Sequence, residues 1–148
     1  MVEFKERTRK TCSATYTAES GRAIRSELLE TTDFQTFRMT PLDGSAARNK
    51  GMALFPRKVG GRYAMIGRQD NENLYLIYSD DLYSWGGGQS ILQPAYPWDY
   101  VQIGNCVSTL ELDHCWFRAI HGVGPFRHCS FGLFLVHQSD TYQVSDRV

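Results

Sequence analysis

At 148 residues, with 16 Lys and Arg against 16 Asp and Glu, the chain has no net charge at pH 7. That excludes the strong global field of a nucleic-acid or acidic-membrane binder. The length fits a single domain, residues 1–148, large enough to bury a core. Cys12, Cys106, Cys115 and Cys129 form no CxxC pair, which argues against a zinc ribbon, and no metal site is expected. The opening "MVEFKERTRK" lacks an apolar leader segment, and no apolar run approaches a membrane span, so a cytoplasmic location with free thiols is the expectation.

The elements read as strands. Residues 1–12 are expected to be irregular. "SATYTA" (13–18) is the first strand. Ser26–Thr32 fits a helix or a strand, and the repeat described below favours the strand. "MALFPRK" (52–58) and "RYAMIGR" (62–68) flank Gly60-Gly61, a two-residue hairpin signal because both glycines accept positive φ. "NLYLIYS" (73–79) leads into "SDDLYSW", a turn in which Asp80 or Asp81 caps backbone donors. "GGG" at 86–88 is a turn rather than a phosphate loop. "STLEL" (108–112), "WFRAIH" (116–121) and "SFGLFLV" (130–136) complete the strands, and residues 138–148 are expected to be irregular. The chain is therefore all-β.

Two internal matches organise these strands. Leu28 with Leu76, Asp33 with Asp81, and Phe37 with Trp85 lie 48 residues apart, as do Thr15 with Tyr63 and Ala18 with Ile66. Gly51–Arg68 aligns without gaps on Gly104–His121, 53 residues on, pairing Tyr63 with Trp116 and Arg68 with His121. A unit of about 50 residues is the period of a β-propeller blade; a sandwich or barrel with similar hairpins is the other fold this pattern allows. In a propeller, equivalent strand ends converge on one pocket, so Arg68 and His121 would bring two potential cations to one cavity. That arrangement is poor for a core and suited to an oxyanion.

Six basic residues lie between Arg48 and Asp70. Arg57, Lys58 and Arg62 flank the hairpin tip and are expected to point to water. Lys50 and Arg68 lie at the other end of the same hairpin, where a phosphate edge is conceivable; Asn49 precedes Lys50. His121 sits in "IHGVGP", where an imidazolium can donate to phosphate and a neutral ring can hold a hydroxyl. Asn105 in "IGNC" can bond a sugar hydroxyl, and Cys106 reads as a small buried residue rather than a nucleophile. Arg118 falls inside a strand that otherwise reads as apolar.

"NKGMALFPRKVGGRYAMIGRQDNENLYLIYSDDLYSW", "YPWDYVQIGNC" and "HGVGPFRH" resemble glycoside hydrolase family 130, the mannoside phosphorylases and related β-mannoside-active enzymes, over roughly Ala14 to Val136. The resemblance implies a five-bladed β-propeller, of which this chain would supply two to three blades. It implies phosphorolysis of β-mannosides to α-mannose 1-phosphate, with inorganic phosphate as co-substrate and no cofactor. It places Lys50, Arg68 and His121 near phosphate, and Asn49, Asp70 and Asn105 near the sugar. The family's acidic motif has no match upstream of "YTA"; Glu3 and Glu6 are acids nearby, and the general acid stays unknown. The reading is a partial or weakly active phosphorylase relative. A non-catalytic carbohydrate- or phosphate-binding module and a β-mannoside hydrolase are the alternatives, and self-association through open sheet edges is expected.

Overall fold

The computed structural model describes residues 2–6, 9–21 and 23–147. These residues form three sheets, each built from consecutive antiparallel strands. The first holds β1 (Val2–Glu6), β2 (Arg9–Ser20), β3 (Ala23–Thr31) and β4 (Arg38–Pro41). The second holds β5 (Ala53–Leu54), β6 (Tyr63–Gly67), β7 (Leu74–Ser79) and β8 (Gln89–Leu92). The third holds β9 (Gln102–Asn105), β10 (Leu110–Glu111), β11 (Cys115–Val123), β12 (Cys129–His137) and β13 (Val144–Arg147). β9 and β10 both pair with β11, at opposite ends, so the inner strand of this sheet is interrupted.

The middle sheet packs against both neighbours, which explains its unbroken apolar runs. Successive side chains of β6 point to opposite faces. Tyr63 and Met65 enter a cluster with Leu28, Leu54 and Trp85, whereas Ala64 and Ile66 enter one with Phe55, Ile103, Trp116 and Phe134. Every residue of β6 is buried as a result. Of the span Ser26–Thr32, all but Thr32 resolves as strand, within β3: Leu28 faces Thr15 across the β2–β3 hairpin.

The ends differ from expectation. Residues 1–12 and 138–148 carry β1, the start of β2, and β13. Both β1 and β13 are edge strands whose backbone groups pair with one neighbour, and such strands need no apolar alternation to form.

The 53-residue match survives in the hydrogen-bond register. Ala53 pairs with Ile66; 53 residues on, the Cys106 N–H donates to the Ala119 carbonyl at 3.2 Å. Gly104 pairs with His121, at the place where the middle sheet sets Gly51 opposite Arg68. The 48-residue match holds only in part. The Thr31 and Ser79 hydroxyls accept from the N–H groups of Asp33 and Asp81 at 3.4 and 3.0 Å. The Asp33 and Asp81 carboxylates then accept from the N–H groups of Gln35 and Tyr83, both at 2.9 Å. The hairpins before these turns are out of step, because Thr15 pairs with Leu28 but Ile66 pairs with Leu76. Thr15 therefore corresponds to Ile66, not Tyr63. The cause is the connecting loop: β2 and β3 stay paired up to Ser20 and Ala23, whereas β6 and β7 separate beyond Gly67 and Tyr75.

At the Gly60-Gly61 turn both glycines have positive φ, 58° and 82°, as a type I′ hairpin requires. The three cations beside it are exposed but do more than meet water. Arg57 makes a forked pair with Glu111 of the third sheet, with contacts from 2.5 to 3.0 Å. Lys58 Nζ lies 4.1 Å from the centre of the Tyr63 ring, and Arg62 reaches Asp80 at 3.2 Å.

Candidate functional site

An open cavity of about 590 Å³ lies between the sheets, lined by Thr15 of β2, Gly51, Ala53 of β5, Asn105 of β9 and Cys106, among others. A second cavity, of about 350 Å³, opens between the first two sheets beside Glu30, Asp80 and Asp81 and contains none of the sequence-predicted site residues.

The segment that carries Asn49 and Lys50 is held from both sides. The Ser26 hydroxyl donates to the Asn49 carbonyl, and the Thr15 hydroxyl to the Met52 carbonyl, both at 2.6 Å. Asn105 Nδ2 donates to the Gly51 carbonyl at 2.5 Å and to that of Ile66 at 3.2 Å. Three side chains from two sheets thus hold the carbonyls of three residues that precede β5, and that of Ile66 in β6. Asn49 Oδ1 accepts from the Lys50 N–H at 2.9 Å, while the Lys50 side chain extends into solvent.

Arg68 is 4% exposed. Its Nη1 donates to the Ile103 carbonyl at 3.3 Å, its Nη2 to Asn71 Oδ1 at 2.8 Å, and its buried Nε has no partner. Burial pushes its pKa down, and the nearby Asp70 charge partly offsets this. Asp70 does not pair directly with Arg68. Its carboxylate accepts from the N–H groups of Glu72 and Asn73, from the Asn73 amide and from the Tyr75 hydroxyl, at 2.6 to 2.9 Å. Desolvation works to raise its pKa, but these donors together hold it below the ordinary carboxylate range.

His121 meets Arg68 over Gly104. A Cβ placed on Gly104 would lie 2.2 Å from His121 Cε1 and 2.7 Å from Arg68 Nη1, so only a glycine allows both side chains to close in. Burial first, and then the charges of Arg68 and Lys50, hold the His121 pKa below its ordinary 6.5. The ring is therefore neutral at pH 7, able to hold a hydroxyl or share one proton with a ligand. Its Nδ1 stands 3.6 Å from Cys106 Sγ. Cys106 is exposed to the cavity, a correction to its reading as a buried residue. Cysteine is usually a small buried residue, but the inner strand breaks after Asn105 and leaves this thiol open.

Arg68 and His121 meet over Gly104, close enough to Lys50 for its charge to act on the imidazole; of the predicted residues Asn105 lines the cavity, and His121 borders it through Cys106. Asp70 stands beside Arg68 in the next loop, and Asn49 stands beside Lys50. The side chains of Glu3 and Glu6 lie outside the described residues. Sequence reasoning missed Thr15 and Ser26, whose role is to position backbone; their small hydroxyls inside strands were the available signal. Among the described residues no cluster of His, Cys, Asp and Glu is arranged to hold a metal ion.

A pH dependence follows from His121. Its folded pKa lies below the unfolded value, so the unfolded chain binds the proton more readily and stability falls as pH drops below about 6.5. The urea midpoint is expected to be lower at pH 5.5 than at pH 7.5. His121→Asn is expected to reduce that difference; an unchanged difference would place the titrating group elsewhere.

Comparison with known proteins gives these residues a context. The profile of a family described as beta-1,4-mannooligosaccharide phosphorylase, glycoside hydrolase family 130, matches residues 7–146. A 1,2-beta-oligomannan phosphorylase from Thermoanaerobacter sp. (strain X514) is 28% identical over 100 residues, covering 67% of this chain and 33% of the relative. A beta-1,4-mannooligosaccharide phosphorylase from Ruminococcus albus is 28% identical over 128 residues, covering 79% of this chain and 37% of the relative. The structure of a beta-1,2-mannobiose phosphorylase from Listeria innocua, solved with beta-1,2-mannobiose, superposes with a TM-score of 0.82 at 23% identity. The match covers 93% of this chain and 40% of that one, and at this identity the likeness is one of fold. The matches to the two curated relatives span only about a third of their length. With the family profile running through nearly all of its residues, the chain belongs to glycoside hydrolase family 130.

Proposed function

We propose that the three sheets are consecutive blades of a five-bladed β-propeller and carry the phosphate-facing side of a β-mannoside phosphorylase site. The observation that carries this reading is the convergence of Arg68 and His121 over Gly104, beside Lys50. Arg68 has an unpartnered buried Nε and, among the described residues, no carboxylate in ion-pair contact. Inorganic phosphate would supply the missing anion.

In the proposed reaction a phosphate oxygen attacks the anomeric carbon of a β-mannoside from the face opposite the leaving sugar. The glycosidic bond breaks, the leaving oxygen takes a proton, and α-mannose 1-phosphate forms with inversion. Arg68 and Lys50 hold the phosphate, and neutral His121 bonds the phosphate or a sugar hydroxyl. Asn49, Asp70 and Asn105 shape the wall that meets the mannosyl unit. Asp70 is not the proton donor, because its four donors keep it ionised. With the general acid unidentified, this chain by itself is expected to bind phosphate and mannoside and to turn over little. We place the chain in a reducing, cytoplasmic setting, in which its cysteines would stay as thiols.

Incubation of the purified chain with β-mannobiose and phosphate is expected to release only traces of mannose 1-phosphate; robust release would overturn the claim of weak activity. Calorimetry is expected to show saturable phosphate binding, weakened ten- to a hundredfold by Arg68→Ala, since a hydrogen bond to a charged group contributes roughly 1.5–3 kcal/mol. Absence of binding to phosphate and to mannobiose would overturn the reading itself. Release of free mannose without phosphate would point to a hydrolase.

A further inference from the structure

Arg118 occupies the centre of β11 with 0% exposure. By the 53-residue repeat its slot corresponds to Met65, also 0% exposed, and that of Asn105 corresponds to Met52, 8% exposed. The middle sheet fills this pair of positions with two methionines. The third sheet fills it with a guanidinium and an amide. Arg118 Nη2 donates to Asn105 Oδ1 at 2.8 Å, Nη1 donates to the Thr109 hydroxyl, and Nε has no partner. None of its partners is a carboxylate. Burial pushes its pKa down to about 9, which leaves it a cation at neutral pH.

Stability alone does not account for this residue. A buried ion without a counterion is costly, and apolar replacement of buried ionic groups is often neutral or stabilising. At the equivalent slot of the middle sheet a methionine is fully buried, which makes methionine the apolar replacement the repeat offers. What the guanidinium adds is direction. By taking up Asn105 Oδ1 it fixes the amide so that Nδ2 faces the Gly51 and Ile66 carbonyls. Gly51 follows Lys50 in the chain, and Ile66 precedes Arg68 by two residues. One oriented amide on the third sheet, the sheet of His121, thus fixes the backbone beside both cations of the middle sheet.

We propose that Arg118 is a positioning residue of the anion site: through Asn105 it sets the spacing between Lys50 and Arg68 on one sheet and His121 on the next. This rests on the phosphate-site reading above and adds a residue that the cavity wall does not display.

The test is Arg118→Met, which restores the methionine of the repeat, measured against wild type by three readouts. Thermal unfolding is expected to show an unchanged or higher midpoint. Inorganic phosphate affinity is expected to fall about tenfold or more, because small misplacements of binding groups are costly. The two side-chain amide proton resonances of Asn105, assigned by NMR in the absence of ligand, are expected to shift and exchange faster with solvent. Arg118→Lys keeps a charge and loses the forked donor, and it is expected to restore the affinity only in part. Should Arg118→Met not fold, the lysine variant decides by the same readouts. Unchanged Asn105 resonances, or unchanged phosphate affinity in a variant whose Arg68→Ala counterpart loses it, would overturn the proposal. If wild type binds no phosphate, the site reading falls, and the Asn105 resonances still decide whether Arg118 orients the amide.

Discussion

Gly104→Ala is expected to leave the three sheets standing while reducing phosphate affinity ten- to a hundredfold. The added methyl would sit 2.2 Å from His121 Cε1, 2.6 Å from His121 Nε2 and 2.7 Å from Arg68 Nη1. All three atoms lie at the ends of side chains, so relief comes from swinging the imidazole and guanidinium aside rather than from moving backbone. Gly104 lies in β9 and its φ is not positive, so alanine meets no backbone penalty there, and the stability loss is expected to stay near 1 kcal/mol. The site pays differently, since it depends on those two groups meeting in one place. Calorimetric titration with phosphate, beside urea unfolding of the same variant, separates the effects. A variant that binds phosphate as wild type does would show that the convergence over Gly104 is not the anion site. Equal losses in binding and in stability would point to general disruption instead.

The largest effect on stability is expected from Trp116→Ala. Trp116 is 1% exposed and stands edge-on to Phe55, with ring centres 5.1 Å apart and planes at 76°. Phe55 follows β5 and Trp116 lies in β11, so the pair joins the middle and third sheets. The indole N–H has no hydrogen-bond partner, so the change removes packing and no hydrogen bond. Arg57, whose guanidinium lies 4.9 Å above the same ring and which also binds Glu111, loses its platform. Emptying such a site costs about 3–5 kcal/mol, a large share of the roughly 5–15 kcal/mol that holds a domain of this size. Equilibrium urea unfolding measures it directly. A loss under about 1 kcal/mol would mean that the seam between these sheets contributes little and that the cluster around Trp85 carries the fold.

Much of this architecture was legible because it repeats. The gapless match from Gly51–Arg68 to Gly104–His121 survives as a conserved strand register, and it identified Arg68 and His121 as equivalents before either had a partner. The Gly60-Gly61 turn was readable from two adjacent glycines, and the Asp81 cap from its turn chemistry. What escaped was of two kinds. Strands β1, β4, β8 and β13 are edges, where backbone pairing with one neighbour suffices and the side chains leave no alternating pattern. Arg118 and Cys106 broke the hydrophobicity rule in opposite directions: a guanidinium buried on neutral acceptors, and a small thiol open to a cavity. Composition places neither, because both depend on where the inner strand of the third sheet breaks, between β9 and β10. The three-residue slip in the 48-residue match has a similar origin, since loop length set the register between paired strands and the sequence similarity lay mainly in the turn after them.

The strand order has a consequence for how the molecule assembles. Each sheet is drawn from one contiguous stretch of chain, and apart from β9 with β11 its pairings join neighbours in sequence. Such contacts close short loops and form early, whereas contacts between distant segments must wait. The bonds from Ser26 to Asn49, from Asn105 to Gly51 and from Arg57 to Glu111 each join different sheets. Sheets formed separately, as the chain leaves the ribosome, would therefore hold every strand and still lack the pocket. The proposed anion site, built where the sheets meet, is expected to form after the sheets and to be lost first when they part.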